Sequence, residues 1–355
     1  MSDHAGPATD GTPLADDLVQ PFVIEKSGVR GRLLRLGAPV HTILTRPDYP
    51  RPVARLLAEL LALAGVLAST LKYDGVFTLQ IKGEGPVRTM VADMTSDGEL
   101  RGYAGYDPEG VAALEGELGA VADAEEPLDV RRWLGKGHMA FTVDQGPHTQ
   151  RYQGLVELSG PSLADCLLHY FRQSQQINAG ILLAAAPPES DLGGQGWRAS
   201  ALLIERVPDS GGTATSDVVL AGDGDPAREG DRDEISGEDW NRALVLTASC
   251  TRAELLDPDL EPNRLLYRLF QEDGVRVFTP RPLSVGCRCS RGKVEDILRS
   301  LGRESVEDYK VDGEVIMTCE FCAYDFRFDD TALDRLYAGE ASDASRDGRH
   351  PKGPA

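Results

Sequence analysis

"YPRPVARLLAELLALAGVLASTLKYDG", residues 49 to 75, decides how the chain folds. Between Leu56 and Leu71 the only charged residue is Glu59, and leucine, alanine and valine occupy every face of a 3.6-residue repeat. A helix apolar all round belongs inside a protein core or a membrane. This one is too short and too interrupted for a span of about 20 apolar residues. The sequence therefore predicts a buried helix, opened by Pro52 and closed near Gly75, with apolar layers on both sides.

Both flanks supply strands for those layers. "VRGRLLRLGA" (29–38) precedes the helix, and "GVFTLQIKGEGPVRTMVADMTSDGELRGYAG" (75–105) follows it, alternating apolar and polar residues between glycine-containing turns. Further on, "HMAFTVDQ" (138–145) and "TQRYQGLVELSG" (149–160) read as strands. Ser162 to Gln176 reads as a helix, and "QGWRASALLIERV" (195–207) as another strand that completes the sheet. The fold class is α+β, with a first domain over 18–207.

Residues 1–17 and 339–355 are small, polar tails without apolar periodicity, expected to be disordered. Residues 208–235, rich in Gly, Asp and Ser, read as a disordered acidic insertion, because burial there does not offset ordering entropy. An amphipathic helical connector follows over 236–280, capped by Ser236 or Asp239. Trp240, Ala243, Leu244 and Ala248 share one face, and Leu265, Leu266, Leu269 and Phe270 come after Pro262. That apolar face needs a surface to cover it, and the first domain is the nearest.

The net charge of −20, from 57 acidic and 37 basic residues, argues against nucleic acid or anionic membrane as a partner. The first residues lack the basic and apolar regions of a secretory signal, so a cytoplasmic protein is expected. Thiols are kept reduced there. "GEGP" (83–86) and "GKG" (135–137) lack the strand, spacing and helix of a nucleotide fingerprint and read as turns. His4, His41, His138, His148, His169 and His350 are scattered, with no metal spacing or nucleophile partner. No catalytic residues and no bound organic cofactor are expected.

Four of the six cysteines fall in residues 281–338 as "CRC" (287–289) and "CEFC" (319–322). C-x-C and C-x-x-C loops of this kind match a tetrahedral thiolate zinc site, and no histidine lies within the segment to replace a thiol. "DGEVIMTCEFCAYDFRF" (312–328) sets Cys319 and Cys322 at the tip of a hairpin, while Val294, Ile297, Leu298 and Leu301 form a helical stripe. Arg288, Arg291 and Lys293 place positive charge beside the first pair, which favours thiolate or simply solvates the surface. Cys166 and Cys250 stand alone and read as small apolar residues. A thiol-disulfide oxidoreductase is the competing interpretation of Cys319 and Cys322. It would place the attacking thiol at a helix N-terminus, and here a strand follows. A zinc site that only staples a constitutive binding protein is the other.

The chain resembles the heat-shock protein 33 family of redox-regulated holdase chaperones from about Val29 to Leu336, the acidic insertion excepted. The resemblance rests on "VRGRLLRL", residues 49–87, "LRGYA", "YQGLVELSG" and "YFRQSQQI" in the first domain. In the last module it rests on "LLYRLFQEDGVRVF", "CRCSRGKVEDIL", "DGEVIMTCEFC" and "YDFRF". It departs at Gln175, where the family has Glu, and in the long insertion. The resemblance implies one zinc ion held by Cys287, Cys289, Cys319 and Cys322 in a reduced, inactive form. It implies that oxidation makes disulfides Cys287–Cys289 and Cys319–Cys322, releases zinc and exposes binding surface for unfolded proteins. It further implies an ATP-independent protein, dimeric when oxidised. Trp240, Leu244, Ala248, Leu265 and Leu269 are the expected client-binding stripe, together with the surface they cover.

Physical chemistry makes such a switch credible. A module of roughly 55 residues is too small for its core alone to give secure stability. Zinc contributes an apparent value of about 10 to 16 kcal/mol in small peptides. Disulfides closing tiny loops constrain the unfolded chain weakly and do not replace it.

Overall fold

The computed structural model describes residues 16–119, 128–144, 152–172, 177–188, 190, 196–206 and 233–339. Residues 1–15 and 340–355, nearly all of the acidic insertion and Gln175 lie outside the described residues; Asp16 and Asp17, expected in the disordered tail, are described, and Asp16 pairs with Arg198 at 2.7 Å.

Strands β1 (Leu18–Ile24) and β2 (Val29–Leu36) lead into helices α1 (Ala38–Thr45) and α2 (Arg51–Ala68). A meander of β3 (Val76–Gly83), β4 (Val87–Thr95) and β5 (Glu99–Tyr106) follows, then α3 (Pro108–Leu118) and α4 (Val130–Trp133). β6 (Gly137–Asp144), β7 (Tyr152–Glu157), α5 (Leu163–Tyr170), β8 (Ala179–Ala186) and β9 (Arg198–Arg206) complete the first part. The connecting region holds α6 (Asp233–Ala248), α7 (Arg252–Leu256), α8 (Pro262–Phe270), β10 (Val275–Val277), β11 (Arg281–Pro282) and β12 (Ser284–Val285). The last module comprises α9 (Arg291–Leu301), α10 (Arg303–Glu307), β13 (Lys310–Val311), β14 (Glu314–Thr318), β15 (Asp325–Phe328) and α11 (Asp330–Tyr337).

Every residue of α2 from Pro52 to Ala68 is buried. The helix packs on β2, β8 and β9 on one side and on β3, β4 and β5 on the other, so it fills the space between two sheets. One sheet runs β10-β1-β2-β9-β8 with β11 also on β1; the other runs β12-β5-β4-β3-β6-β7. Gly65 allows the close approach: a Cβ there would sit 2.4 Å from Leu34 Cδ1. Burial pushes the Glu59 carboxyl up against the opposing charges of Arg55 and Arg252. The helix stops at Ala68, short of Gly75, because the hydroxyls of Ser69 and Thr70 bond back to the carbonyls of Val66 and Leu67.

The connecting helices cover the outer face of the first sheet. Phe22, Ile24, Leu33, Leu202 and Ile204 from the strands pack against Trp240, Leu255, Leu265, Leu269 and Phe270. Phe22 and Phe270 stack at 5.6 Å. Arg35, 1% exposed, donates to the carbonyls of Glu254, Asp257 and Leu260, and Arg198 donates to that of Leu256. These bonds satisfy the free carbonyls at the end of α7 and seat it on the sheet.

Three expectations about this region need correction. α6 begins at Asp233, so Ser236 and Asp239 lie within the helix rather than capping it. Ala248 is exposed, because Trp240, Ala243 and Thr247 take the buried helical phase while Leu244 is half-buried. The end of the supposed helical connector is strand: β10 pairs antiparallel with β1 through Val277 and Phe22, since the outer edge of β1 needs hydrogen-bond partners.

Candidate metal centre

The last module has its own small core of Val294, Leu298, Val306, Val315, Phe326, Phe328, Leu333 and Leu336. The expected stripe is narrower than its four residues: Ile297 and Leu301 are each 49% exposed, because so small a module does not wrap the helix. A hairpin with Thr318 opposite Asp325 carries the second thiol pair at its tip. Cys319 N–H donates to the Tyr324 carbonyl, and the amides of Cys322 and Ala323 both donate to the carbonyl of Cys319. This fold-back places Ala323 at φ 53°, a left-handed conformation that glycine adopts without strain.

The first pair arrives from the other side. β12 adds to β5 in parallel, with Ser284 opposite Glu99 and Val285 opposite Leu100. Gly286 N–H then donates to Leu100 O, and a Cβ on Gly286 would meet Glu99 Cβ at 2.6 Å. Ser290 caps α9 through the Lys293 amide, so Cys287 and Cys289 lie on a short extended turn before the helix.

The four sulfurs lie within 4.8 Å of one another. Cys287 Sγ is 3.7 Å from Cys319 Sγ, and Cys289 Sγ is 3.6 Å from Cys322 Sγ. A tetrahedron with metal–sulfur bonds of about 2.3 Å has edges of about 3.8 Å. The donor set and its spacing therefore fit a single tetrahedral ion held by four thiolates.

Sulfur–sulfur hydrogen bonding sets the thiols apart. The Cys319 thiol hydrogen bond pulls Cys287 down to about 4 against its burial. Burial and the Cys287 hydrogen bond push Cys289 up to about 12, and Cys319 is raised chiefly by its bond to Cys287. An ion would deprotonate all of them and release protons on binding. Arg288 feels the Cys287 sulfur as an attractive charge, and all three basic neighbours also have partners elsewhere. Arg288 goes to Asp93, while Arg291 pairs with Glu295 and stacks on Phe328 at 4.2 Å. Lys293 Nζ donates to the Arg288 carbonyl at 2.7 Å.

The residues between the cysteines dock the module on the second sheet. Arg288, between Cys287 and Cys289, donates to Asp93, which is 3% exposed and also accepts from Thr78 and Arg101 at 2.6 and 2.7 Å. Phe321, between Cys319 and Cys322, lies under the Arg101 guanidinium at 3.8 Å and beside Tyr103 at 6.2 Å. An open cleft is lined by Tyr49, Tyr103, Tyr106, Cys319 and Glu320. Sequence reasoning missed Asp93, Arg101 and Phe321, since nothing local marks a contact across the chain. Cys166 and Cys250 are buried far from the cluster in sequence, and burial pushes Cys250 up to about 11.

Of the expected client-binding residues, Trp240, Leu265 and Leu269 are buried against the first sheet, Leu244 is half-buried beside them, and Ala248 points away. No helix among the described residues is long and apolar enough to cross a membrane.

Two sheets around a buried helix, a helical layer on one outer face and a four-cysteine module on the other sheet define the class. The chain belongs to the Hsp33 protein family, whose description matches residues 17–329. A 33 kDa chaperonin of Caulobacter vibrioides is 40% identical over 319 residues, covering 90% of this chain and 96% of the relative. One from Ectopseudomonas mendocina is 34% identical over 337 residues, covering 94% and 100%. The crystal structure of the Thermotoga maritima 33 kDa chaperonin shares the fold with a TM-score of 0.65 at 21% identity, covering 91% of this chain and 98% of that one.

Proposed function

We propose that this protein is an ATP-independent holdase chaperone switched on by oxidation, inactive while reduced and holding one zinc ion. The observation that carries this reading is the convergence of Cys287, Cys289, Cys319 and Cys322, in a module whose docking residues, Arg288 and Phe321, lie between those cysteines. Family membership supports the chaperone class, and its curated relatives carry the name 33 kDa chaperonin.

In this reading the chain divides into a client-binding domain over 18–207, a connector over 236–280 and a switch module over 281–338. Bound zinc supplies a cross-link that the small module core does not provide by itself. Peroxide reaches the thiolates through the Cys319 cleft. Each disulfide forms as two thiolates lose two electrons to one peroxide, which takes up two protons and leaves as two waters. The pairs Cys287–Cys289 and Cys319–Cys322 are then no longer ligands, and their short loops do not hold the module.

Loss of the module frees Arg288 and Phe321 from the second sheet and removes the anchor of the connector. The face uncovered is apolar, with Trp240, Leu244, Leu265 and Leu269 opposite Phe22, Leu33 and Ile204, and it binds unfolded proteins. The oxidised protein works as a homodimer in the cytoplasm, and it binds without turnover.

Zinc content, free thiols and suppression of client aggregation, followed together during peroxide treatment, test this. A switch loses zinc and thiols as it gains holdase activity. Activity that is constant with zinc retained would make the metal a permanent staple, and catalytic reduction of small disulfides would make the protein an oxidoreductase.

A further inference from the structure

Residues 275–285 close one edge of each sheet. β10 lies along β1 opposite Phe22, Val23 and Ile24, β11 lies opposite Leu18 and Val19, and β12 covers the start of β5. The attachment to β1 is mostly main chain. Phe278 N–H donates to Pro21 O at 2.9 Å, Glu25 N–H to Gly274 O at 2.8 Å and Leu283 N–H to Asp17 O at 2.7 Å. The buried Gln20 side chain adds a bond to the Phe278 carbonyl.

Few side chains of this segment are buried: Val275 packs on the connector cluster, Arg276 pairs with Glu25 at 3.4 Å and Arg281 donates to the Ser96 carbonyl at 2.9 Å. Val277 is 38% and Phe278 50% exposed, and Arg276, Arg281 and Pro282 are exposed as well. Main-chain hydrogen bonds net only about 0.5 to 1.5 kcal/mol each. A segment held by them with so little apolar burial opens at low free energy once its ends are free. Those ends are Phe270, stacked on Phe22 in the connector, and Leu283, at the start of the metal module.

We propose that the outer edge of β1, from Leu18 to Ile24, is a strand-addition site for an extended client segment, uncovered when residues 275–282 leave. This rests on the chaperone reading given above. β1 stays paired with β2 along all seven residues, so the edge keeps its shape after the cap departs. Phe22 and Ile24 offer an apolar floor on the face beneath the connector, at alternate positions that suit a strand with period two. Recognition through main-chain groups needs no particular client sequence, and unfolded chains share extended, unpaired backbone. The present occupant is held on this edge mainly through main-chain hydrogen bonds, with Val275 its one side chain packed on the apolar cluster there.

The test uses the full chain oxidised with peroxide and a short alternating valine–threonine peptide with terminal lysines. Two isomers of the peptide carry N-methyl groups, one on the valine amides and one on the threonine amides, so that each blocks one edge only. Strand addition predicts that the isomers differ in competition with the labelled parent peptide by at least about tenfold, the effect of one or two lost hydrogen bonds. It also predicts that the parent slows amide exchange over residues 18–25. Equal competition by both isomers would overturn the proposal, as would protection confined to residues 29–36 and 198–206. Protection of 18–25 that grows with protein concentration without peptide, together with dimers in sedimentation, would assign the edge to a second copy and overturn it too. Failure of the oxidised chain to suppress client aggregation would instead sink the chaperone reading.

Discussion

Arg288, the residue between two of the clustered thiols, donates its guanidinium to the buried carboxylate of Asp93, 195 positions earlier on the second sheet. The first cysteine loop and the first domain thus share this ion pair. Replacing Arg288 with Ala leaves Asp93 still bonded to Thr78 and Arg101, so the domain is expected to fold. The docking contact weakens by about 1.5 to 3 kcal/mol, the worth of a hydrogen bond to a charged group. Expected outcomes are faster amide exchange at residues 284–286 and a lower peroxide dose for activation, with zinc content unchanged before oxidation.

Ala323 occupies a left-handed position directly after Cys322. The substitution Ala323→Gly removes the Cβ clash, which costs roughly 1 to 2 kcal/mol at such a site. The module is expected to hold its metal more tightly against a competing chelator, and to need more oxidant for activation. A weaker hold in a chelator titration would mean that the turn is not strained.

Leu265 and Leu269 are 0% and 4% exposed under the connector. Changing both to Ser removes apolar burial worth about 2 to 5 kcal/mol at each position. The connector should then leave the sheet without oxidation, giving holdase activity in the reduced, zinc-bound protein. Aggregation assays identical to wild type in both redox states would show that this stripe plays no part in activation.

Glu254 closes the capping box of α7, accepting from the Thr251 amide and hydroxyl, and pairs with Arg268 of α8 at 2.8 Å. Burial raises its carboxyl, but the Thr251 bonds and Arg268 outweigh that and hold it below its ordinary 4.5. A depressed carboxyl stabilises the fold above its unfolded pKa and loses that contribution as pH falls through the folded value. Glu254→Gln should therefore cost on the order of 1 kcal/mol near neutral pH. The difference from wild type should begin to shrink as pH falls past about 4.5 and vanish only below the depressed folded value, as measured by urea midpoints across pH.

Between the pairs, Cys287 Sγ lies 3.7 Å from Cys319 Sγ and Cys289 Sγ 3.6 Å from Cys322 Sγ. In a tetrahedral cluster such contacts do not select a disulfide pattern, because all edges are comparable. Peptide mapping of the oxidised protein is expected to find Cys287–Cys289 and Cys319–Cys322. Cross-pairs would staple the two halves of the module together, and the module would then stay folded after losing its metal.

Local pattern carried much of this protein. A run from Leu56 to Leu71 broken only by Glu59 has to be buried on all sides, which sets two layers around α2. Alternation around Cys319 and Cys322 fixes a hairpin tip, and four cysteines in two short loops fix the donor set. These features follow from periodicity and spacing within a few residues, where chain connectivity restricts the options. Tertiary structure alone decided the rest. β10 to β12 are strands because β1 and β5 present open edges, not because two or three residues favour extension. Thr247 rather than Ala248 faces the sheet because the docking of α6 chooses the helical phase. Arg288 meets Asp93 because two segments far apart in the chain are folded onto one surface, where it joins Arg101 around the same buried carboxylate.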